Sequence, residues 1–290
     1  AMFAIITPAL ILGAIAERMK FSAWVVFITV WLLVVYCPLA HMVWSSEGWI
    51  FKAGAIDFAG GLVVHMSSGF SALVAALLLG KRRGFGKEPM APHSLPLCLI
   101  GAGLLWTGWF GFNAGSALSA SGLAALAFTN TSTATSTAVV VWALIEWLHR
   151  GKPTALGAAT AAVAGLVAIT PACGNVSPLG SMAVGGGVSL VCYAALTFLK
   201  PAFGYDDSLD AFGVHGMGGA WGALASGIFA TTLGSGIESN GAQILVQLKG
   251  IAFVAVFAPV MTFLILSVLK LVFGSLRVDP EAEAEGLDLS

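Results

Sequence analysis

Asp57-Phe58-Ala59-Gly60-Gly61-Leu62-Val63-Val64-His65 places a carboxylate and an imidazole at the start of a long apolar run. A second stretch, Asp210-Ala211-Phe212-Gly213-Val214-His215, sets the same two groups in a similar glycine-rich context. An ionisable side chain in hydrocarbon is costly, so by default it marks a pathway or a site. Two of them in matching surroundings point to one structural element used twice, as in membrane proteins built from repeated halves.

The rest of the chain agrees with a membrane setting. Of its 290 residues 58% are hydrophobic and only 9% charged, and mean hydropathy is +0.93. Soluble domains carry roughly 25% charged residues, and a soluble core of this size has no room for so much apolar surface. The composition therefore predicts an all-α polytopic membrane protein. A net charge of -1 gives no electrostatic basis for nucleic-acid binding. The cysteines Cys37, Cys98, Cys173 and Cys192 are widely spaced and form no CxxC pair. In apolar runs a cysteine is most often a small buried hydrophobe. The chain opens on Ala1, already inside an apolar run, with no charged n-region or cleavage site. That is not a signal peptide, and it reads as a fragment that has lost upstream sequence.

About 20 apolar residues cross a bilayer as a helix. Nine candidate spans satisfy this approximately: 1–16, 21–45, 57–80, 94–119, 121–148, 154–170, 178–199, 211–232 and 243–274. Gly60-Gly61 and Gly185-Gly186-Gly187 fit close helix packing. Cytoplasmic loops carry excess Lys and Arg. Here Arg18, Lys20, Lys81, Arg82, Arg83, Lys87, Arg150, Lys152, Lys200, Lys270 and Arg277 fall in alternate loops, against Lys52 and Lys249 on the other side. This places the C-terminus in the cytoplasm and the present N-terminus outside. Residues 1–278 are read as the transmembrane domain and 279–290 as the start of a cytoplasmic tail. That acidic tail is expected to be flexible unless a partner orders it.

Each candidate side chain has a plain reading beside the functional one. A lone intramembrane histidine usually makes a helix–helix hydrogen bond; the pair His65 and His215 instead suggests a shared polar track, able to pass a small polar solute or relay a proton. Asp57 and Asp210 begin the same two segments and read first as N-caps. At the outer mouth, the charge of Asp57 would also favour a nearby cation. Trp44 belongs to an interfacial belt or forms a cation–π wall. In the dense run Trp106-Thr107-Gly108-Trp109-Phe110-Gly111-Phe112-Asn113-Ala114-Gly115-Ser116, Phe112 and Ser116 share a helix face. Glu146, Trp147 and His149 read as interfacial, and Glu17-Arg18 as a local ion pair. No Ser/His/Asp triad, H-E-x-x-H or phosphate loop is present. Nothing near the histidines supplies a nucleophile or metal set, so an enzyme is disfavoured, and no cofactor is implied.

Taken in order, Gly13-Ala14-Ile15-Ala16-Glu17-Arg18, Ala40-His41-Met42-Val43-Trp44, Asp57 to His65, Trp109 to Ser116, Pro171-Ala172-Cys173-Gly174 and Asp206-Asp207-Ser208-Leu209-Asp210 through His215 resemble the ammonium transporter (Amt/Mep/Rh) family, its bacterial Amt branch in particular. The resemblance implies eleven transmembrane helices in two inverted five-helix halves plus a long last helix, of which the first two precede this sequence. It also implies a homotrimer in the plasma membrane with one pore per subunit. By motif match Phe3 and Phe112 are similar to the stacked rings that gate the pore. Trp44, Phe3 and Ser116 resemble the outer ammonium recruitment site, and Asp57 the buried aspartate that supports it. His65 and His215 resemble the twin pore histidines. Glu285-Gly286-Leu287-Asp288 resembles the start of the regulatory C-terminal region, with a PII-type signalling protein as the implied cytoplasmic partner. The expected activity is ammonium recruitment, deprotonation and ammonia conduction. The alternative is an ammonium sensor that signals through its tail.

Overall fold

The computed structural model describes residues 1–230 and 240–288. The spans are α1 (Met2–Leu12), α2 (21–44), α3 (Gly61–Leu79), α4 (Leu95–Ala114), α5 (Gly122–Arg150), α6 (Ala155–Ile169), α7 (Pro178–Phe203), α8 (212–229) and α9 (Asn240–Phe273). Each of the nine expected spans thus has its helix, and the expected end of 211–232 lies outside the described residues. A short helix α10 (Pro280–Glu285) follows.

Several helix starts are written locally. Ser94, Ser121, Thr154 and Ser177 accept a backbone N–H from the first turns of α4, α5, α6 and α7, the usual work of a hydroxyl N-cap. Glu146, expected at the interface, is instead buried on α5 and accepts the Thr154 N–H (2.6 Å) and hydroxyl. It braces the cap of α6 because a carboxylate is stabilised by donors at a helix N-terminus.

Two apolar cores divide the helices. One collects α1, α2, α3 and α9, including Ile11, Phe27, Trp31, Leu39 and Leu266. The other is built by α4 to α8, including Trp109, Trp142, Leu166 and Val188. The halves repeat in sequence and in shape. Ile6-Thr7-Pro8-Ala9 on α1 recurs as Ile169-Thr170-Pro171-Ala172 at the end of α6. In both, the threonine hydroxyl donates back one turn, to Phe3 C=O (2.6 Å) and to Leu166 C=O (2.8 Å). α2 carries a π-turn at Leu32–Tyr36 just before Cys37-Pro38, and α7 one at Ala195–Leu199 just before Lys200-Pro201. Equivalent helices are five spans apart, an odd number, so they cross the membrane in opposite senses.

The halves meet where α3 crosses α8, and glycine makes the crossing. A side chain on Gly69 would overlap the Gly216 backbone, and one on Gly219 would press on Gly61 O and Met66 N at 2.9 Å. Both helices begin as π-turns, Gly61–Met66 and Phe212–Met217, each carrying its histidine. Such turns have no simple sequence signature and often occur at functional positions.

The loops that carry Glu17, Arg18, Arg82 and Asp206 are joined by a charge cluster. Arg82 donates to Asp206 through Nε and Nη2 (2.8 Å) and pairs with Glu17 at 2.7 Å. The expected Glu17–Arg18 pair does not form. The Arg18 side chain is buried and donates instead to Asp206 C=O (2.6 Å) and the Ser208 hydroxyl. The start of the tail makes contacts of its own. Arg277 pairs with Glu283 at 2.7 Å and donates to Leu79 and Lys81 carbonyls, while Arg83 N–H donates to Glu283. These contacts bridge residues far apart in sequence and hold α10 against the loop that follows α3.

Candidate functional site

The candidate residues assemble into one line through the molecule. Phe3 on α1 lies 5.8 Å from the Trp44 ring and 4.3 Å from Phe112 on α4. Phe112 lies 5.8 Å from His65, and the His65 and His215 rings lie nearly parallel with centroids 5.3 Å apart. Trp109, one turn before Phe112, lies flat against His65 at 5.3 Å. Its indole N–H donates to the Thr170 hydroxyl at 2.9 Å, so the Thr-Pro element of the second half sets a ring that packs on the histidine of the first. Trp109 stands in the aromatic run read from the sequence, but spacing alone gave it no particular place.

The histidines touch edge to edge, Nδ1 to Nδ1 at 3.3 Å. That contact needs one proton between two nitrogens, so one ring carries Nδ1–H and the other a bare Nδ1. The remaining Nε2 atoms then differ: the first accepts, the second donates. The pair thus keeps one acceptor and one donor in an otherwise aromatic and aliphatic lining. His65 is fully buried and its Nε2 has no partner among the described residues.

Asp57 shapes the entry from behind. One carboxylate oxygen accepts Gly60 and Gly61 N–H, and the other accepts Leu62 (2.9 Å) and Val63 (3.1 Å). Gly60 has φ +112°, a left-handed conformation open to glycine, and this folds the turn around the carboxylate. The Asp57 carboxylate therefore faces the start of α3 and is not turned towards a cation as expected, while its carbonyl accepts the Trp44 indole N–H at 2.8 Å. Ser116 sits one turn beyond Phe112, where its hydroxyl donates to Phe112 C=O at 2.8 Å, leaving its lone pairs to accept.

Asp210 is not the counterpart of Asp57. Its carboxylate pairs with Lys200 at 2.6 Å. The cap of the second half is Asp207, fully buried, which accepts Ala211 N–H (3.0 Å) and Phe212 N–H (2.7 Å). Burial is the largest influence on Asp207 and, with the Asp210 charge, pushes its carboxyl up to about 6 against the Phe212 and Ala211 bonds. The sequence does contain this signal. Asp57 precedes His65 by the same interval, eight residues, that separates Asp207 from His215.

Among the described residues no cluster of three His, Cys, Asp or Glu is placed to hold a metal, and all four cysteines are free. Phe212, three residues before His215, packs edge-on against Phe70 at 5.2 Å.

Comparison with known proteins gives the same reading. The model described as the Ammonium Transporter Family matches residues 1–290. The chain belongs to the ammonium transporter family. It is 48% identical to an ammonium transporter of Bacillus subtilis (strain 168), over 99% of this chain and 72% of that protein. It is also 48% identical to an ammonium transporter of Aquifex aeolicus, over 98% and 67% respectively. Among solved structures, a sensor Amt protein superposes with a TM-score of 0.92 at 32% identity, covering 98% of this chain and 73% of that one. Saccharomyces cerevisiae Mep2 gives 0.89 at 36% identity, covering 97% and 66%. The ammonium-transporter fold, multi-pass in the membrane, is thus the fold of this chain, and its relatives bear the names of transporters rather than enzymes.

Proposed function

We propose that this chain recruits ammonium at its outer aromatic mouth, where the ion gives up a proton to the water outside, and conducts ammonia past His65 and His215. The observation that carries this reading is the Nδ1-to-Nδ1 histidine pair next to the tilted Phe3–Phe112 ring pair. A small cation at the mouth meets the Trp44 and Phe3 faces, a cation–π attraction worth about 0.5–2 kcal/mol, and the Ser116 oxygen. Farther in, the lining cannot support charge. Burying an unpaired ion costs on the order of tens of kcal/mol in a low-dielectric medium, so the group neutralises instead. Ammonium can lose a proton and continue as ammonia, which finds one donor and one acceptor on the histidines. Potassium has no such route, and selectivity follows.

The same reading places the protein in the plasma membrane, as a homotrimer, with its C-terminus in the cytoplasm and a PII-type protein as the candidate regulator there. The likeness to a sensor Amt protein favours one second reading, an ammonium sensor whose docked tail reports occupancy.

Proteoliposomes separate these. Ammonia entering a vesicle takes up a proton, so conduction appears as saturable internal alkalinisation faster than in empty liposomes. It is expected with ammonium, absent with potassium, and reduced at least tenfold in the His65→Ala, His215→Ala double variant. Parallel current recordings show whether a proton crosses as well. Alkalinisation no faster than through bare lipid, together with no ammonium-dependent current, would refute transport and leave the sensor.

A further inference from the structure

The long last helix, α9, contributes no ring or imidazole to the line from Trp44 to His215, yet one of its side chains is tied into the base of the mouth. Gln247 has no exposed surface. Its Oε1 accepts the Ile56 N–H at 2.7 Å and a Gln243 N–H at 3.2 Å. Its Nε2 donates to Ile56 C=O and to Ala223 C=O, both at 2.8 Å. All four hydrogen-bonding positions of the carboxamide are therefore in use, and the carbonyls on one side fix which end is nitrogen. Gln243 extends the grip by donating to Gly54 C=O at 2.9 Å.

Holding both the N–H and C=O of one residue is how a strand fixes its neighbour, and here a side chain does it to the residue just before Asp57. Asp57 C=O in turn accepts the Trp44 indole N–H. We infer that Gln247 is the positioning residue of the outer mouth: through Ile56 and the Asp57 carbonyl it sets the angle of the Trp44 ring, and so the affinity for the cation captured there. A ring attracts a cation over its face and repels it at its edge, so a small tilt matters more to capture than to later steps. His65 and His215 are fixed separately, by their π-turns, the aspartate caps and the glycine crossing. The Ala223 bond links the same carboxamide to α8, so the loop is braced against the half that carries His215.

The inference rests on the proposed capture role of the mouth, and the test separates the two. Gln247→Met keeps the bulk and removes every polar contact; Gln247→Glu keeps the acceptors but turns an anion towards two carbonyls. In proteoliposome flux assays both are expected to raise the half-saturating ammonium concentration about tenfold, with maximal flux within twofold of wild type, the pattern of lost binding rather than lost chemistry. Added to Trp44→Leu, Gln247→Met is expected to cause no further rise, because it acts through that ring. An unchanged half-saturation, a maximal flux reduced beyond twofold, or effects that multiply with Trp44→Leu would each overturn the assignment while leaving ammonia conduction standing. A wild-type protein with no saturable flux would remove both. If the Gln247 variants do not fold, Gln243→Met decides: a rise of about threefold supports the inference, and no change overturns it.

Discussion

Replacing Asp57 with asparagine tests whether the mouth is held by a buried carboxylate. The two oxygens of Asp57 accept four backbone N–H groups, two each. Asparagine keeps one oxygen and turns an NH2 towards two of those donors. In either orientation two buried N–H groups lose their acceptor, and the surviving bonds lose charge assistance. An unsatisfied buried donor costs about 1–3 kcal/mol, so two cost about 2–6 kcal/mol, and ~4 kcal/mol is the central expectation. For a chain of this size that corresponds to a Tm lower by roughly 8 °C, at about 2 °C per kcal/mol. The assay is thermal unfolding of the detergent-purified protein followed by tryptophan fluorescence, beside Asp57→Ala. The alanine leaves all four donors unmet and is expected to be no more stable than the asparagine. The half-saturating ammonium concentration should rise as well, since the Asp57 carbonyl holds Trp44. A Tm within ~2 °C of wild type for Asp57→Asn would refute the reasoning, because the turn would then not depend on the carboxylate.

Asp207 and Asp210 should rank in the order of their partners. Asp207→Asn leaves one of two buried backbone N–H groups unmet, for about 1–3 kcal/mol. Asp210→Asn removes a partly exposed ion pair, worth about 0–1 kcal/mol, and asparagine tolerates the φ of 60° found there; a larger fall in Tm for Asp210→Asn would contradict the repeat drawn here. The tail should respond to acid. Burial opposes the charge on Glu283, but the bonds from Arg277 and the Arg83 N–H outweigh it and hold the carboxyl below its ordinary value of 4.5. A lowered folded-state value means that docking is fully stabilised above 4.5 and lost as the pH falls through the lower value. Protection from hydrogen exchange across 277–285, corrected for the intrinsic pH dependence of exchange, is thus expected to be high at neutral pH and to fall only well into acid, with Glu283→Gln reproducing the loose state at pH 7; loss of protection beginning above pH 5 would refute the ion-pair account.

What could be read from sequence, and what could not, divides along physical lines. The spans were legible because roughly 20 consecutive apolar residues have few alternatives. The histidines were legible because ionisable groups in hydrocarbon stand out. Asp210 misled because nearness to His215 was weighed above the interval of eight residues that Asp57 and Asp207 share. Glu17–Arg18 misled because adjacency in sequence hid the better partners, Arg82 and Asp206, that folding brings in. The contacts of the tail were not legible from composition alone, since Glu283 is held by Arg277 and by Arg83 of the loop that follows α3. Gln247 left no trace in the sequence reading because its partners are mostly backbone atoms, which no residue pattern encodes.

Contact between two imidazoles at 3.3 Å demands tighter placement than packed side chains usually provide, since an apolar core of the right size tolerates repacking. The fold meets this demand by leaving little between the halves. Each half has its own core, and the two meet at Gly69 and Gly216, backbone against backbone, within four residues of His65 and one of His215. Backbone contact cannot relax by a change of rotamer, so the spacing of the two helices is set by the closest approach of main chains. The π-turns then place each histidine at the start of its helix, where the buried Asp57 and Asp207 caps fix the first N–H groups. Caps, π-turns and glycines therefore act on one quantity, the gap between the rings, whereas the Trp44 ring is held by the Asp57 carbonyl and, through Ile56, by the grip of α9. Under the proposed mechanism capture and passage share Asp57 but otherwise depend on different contacts, so substitutions at Gln247 and at the histidines should separate affinity from maximal flux.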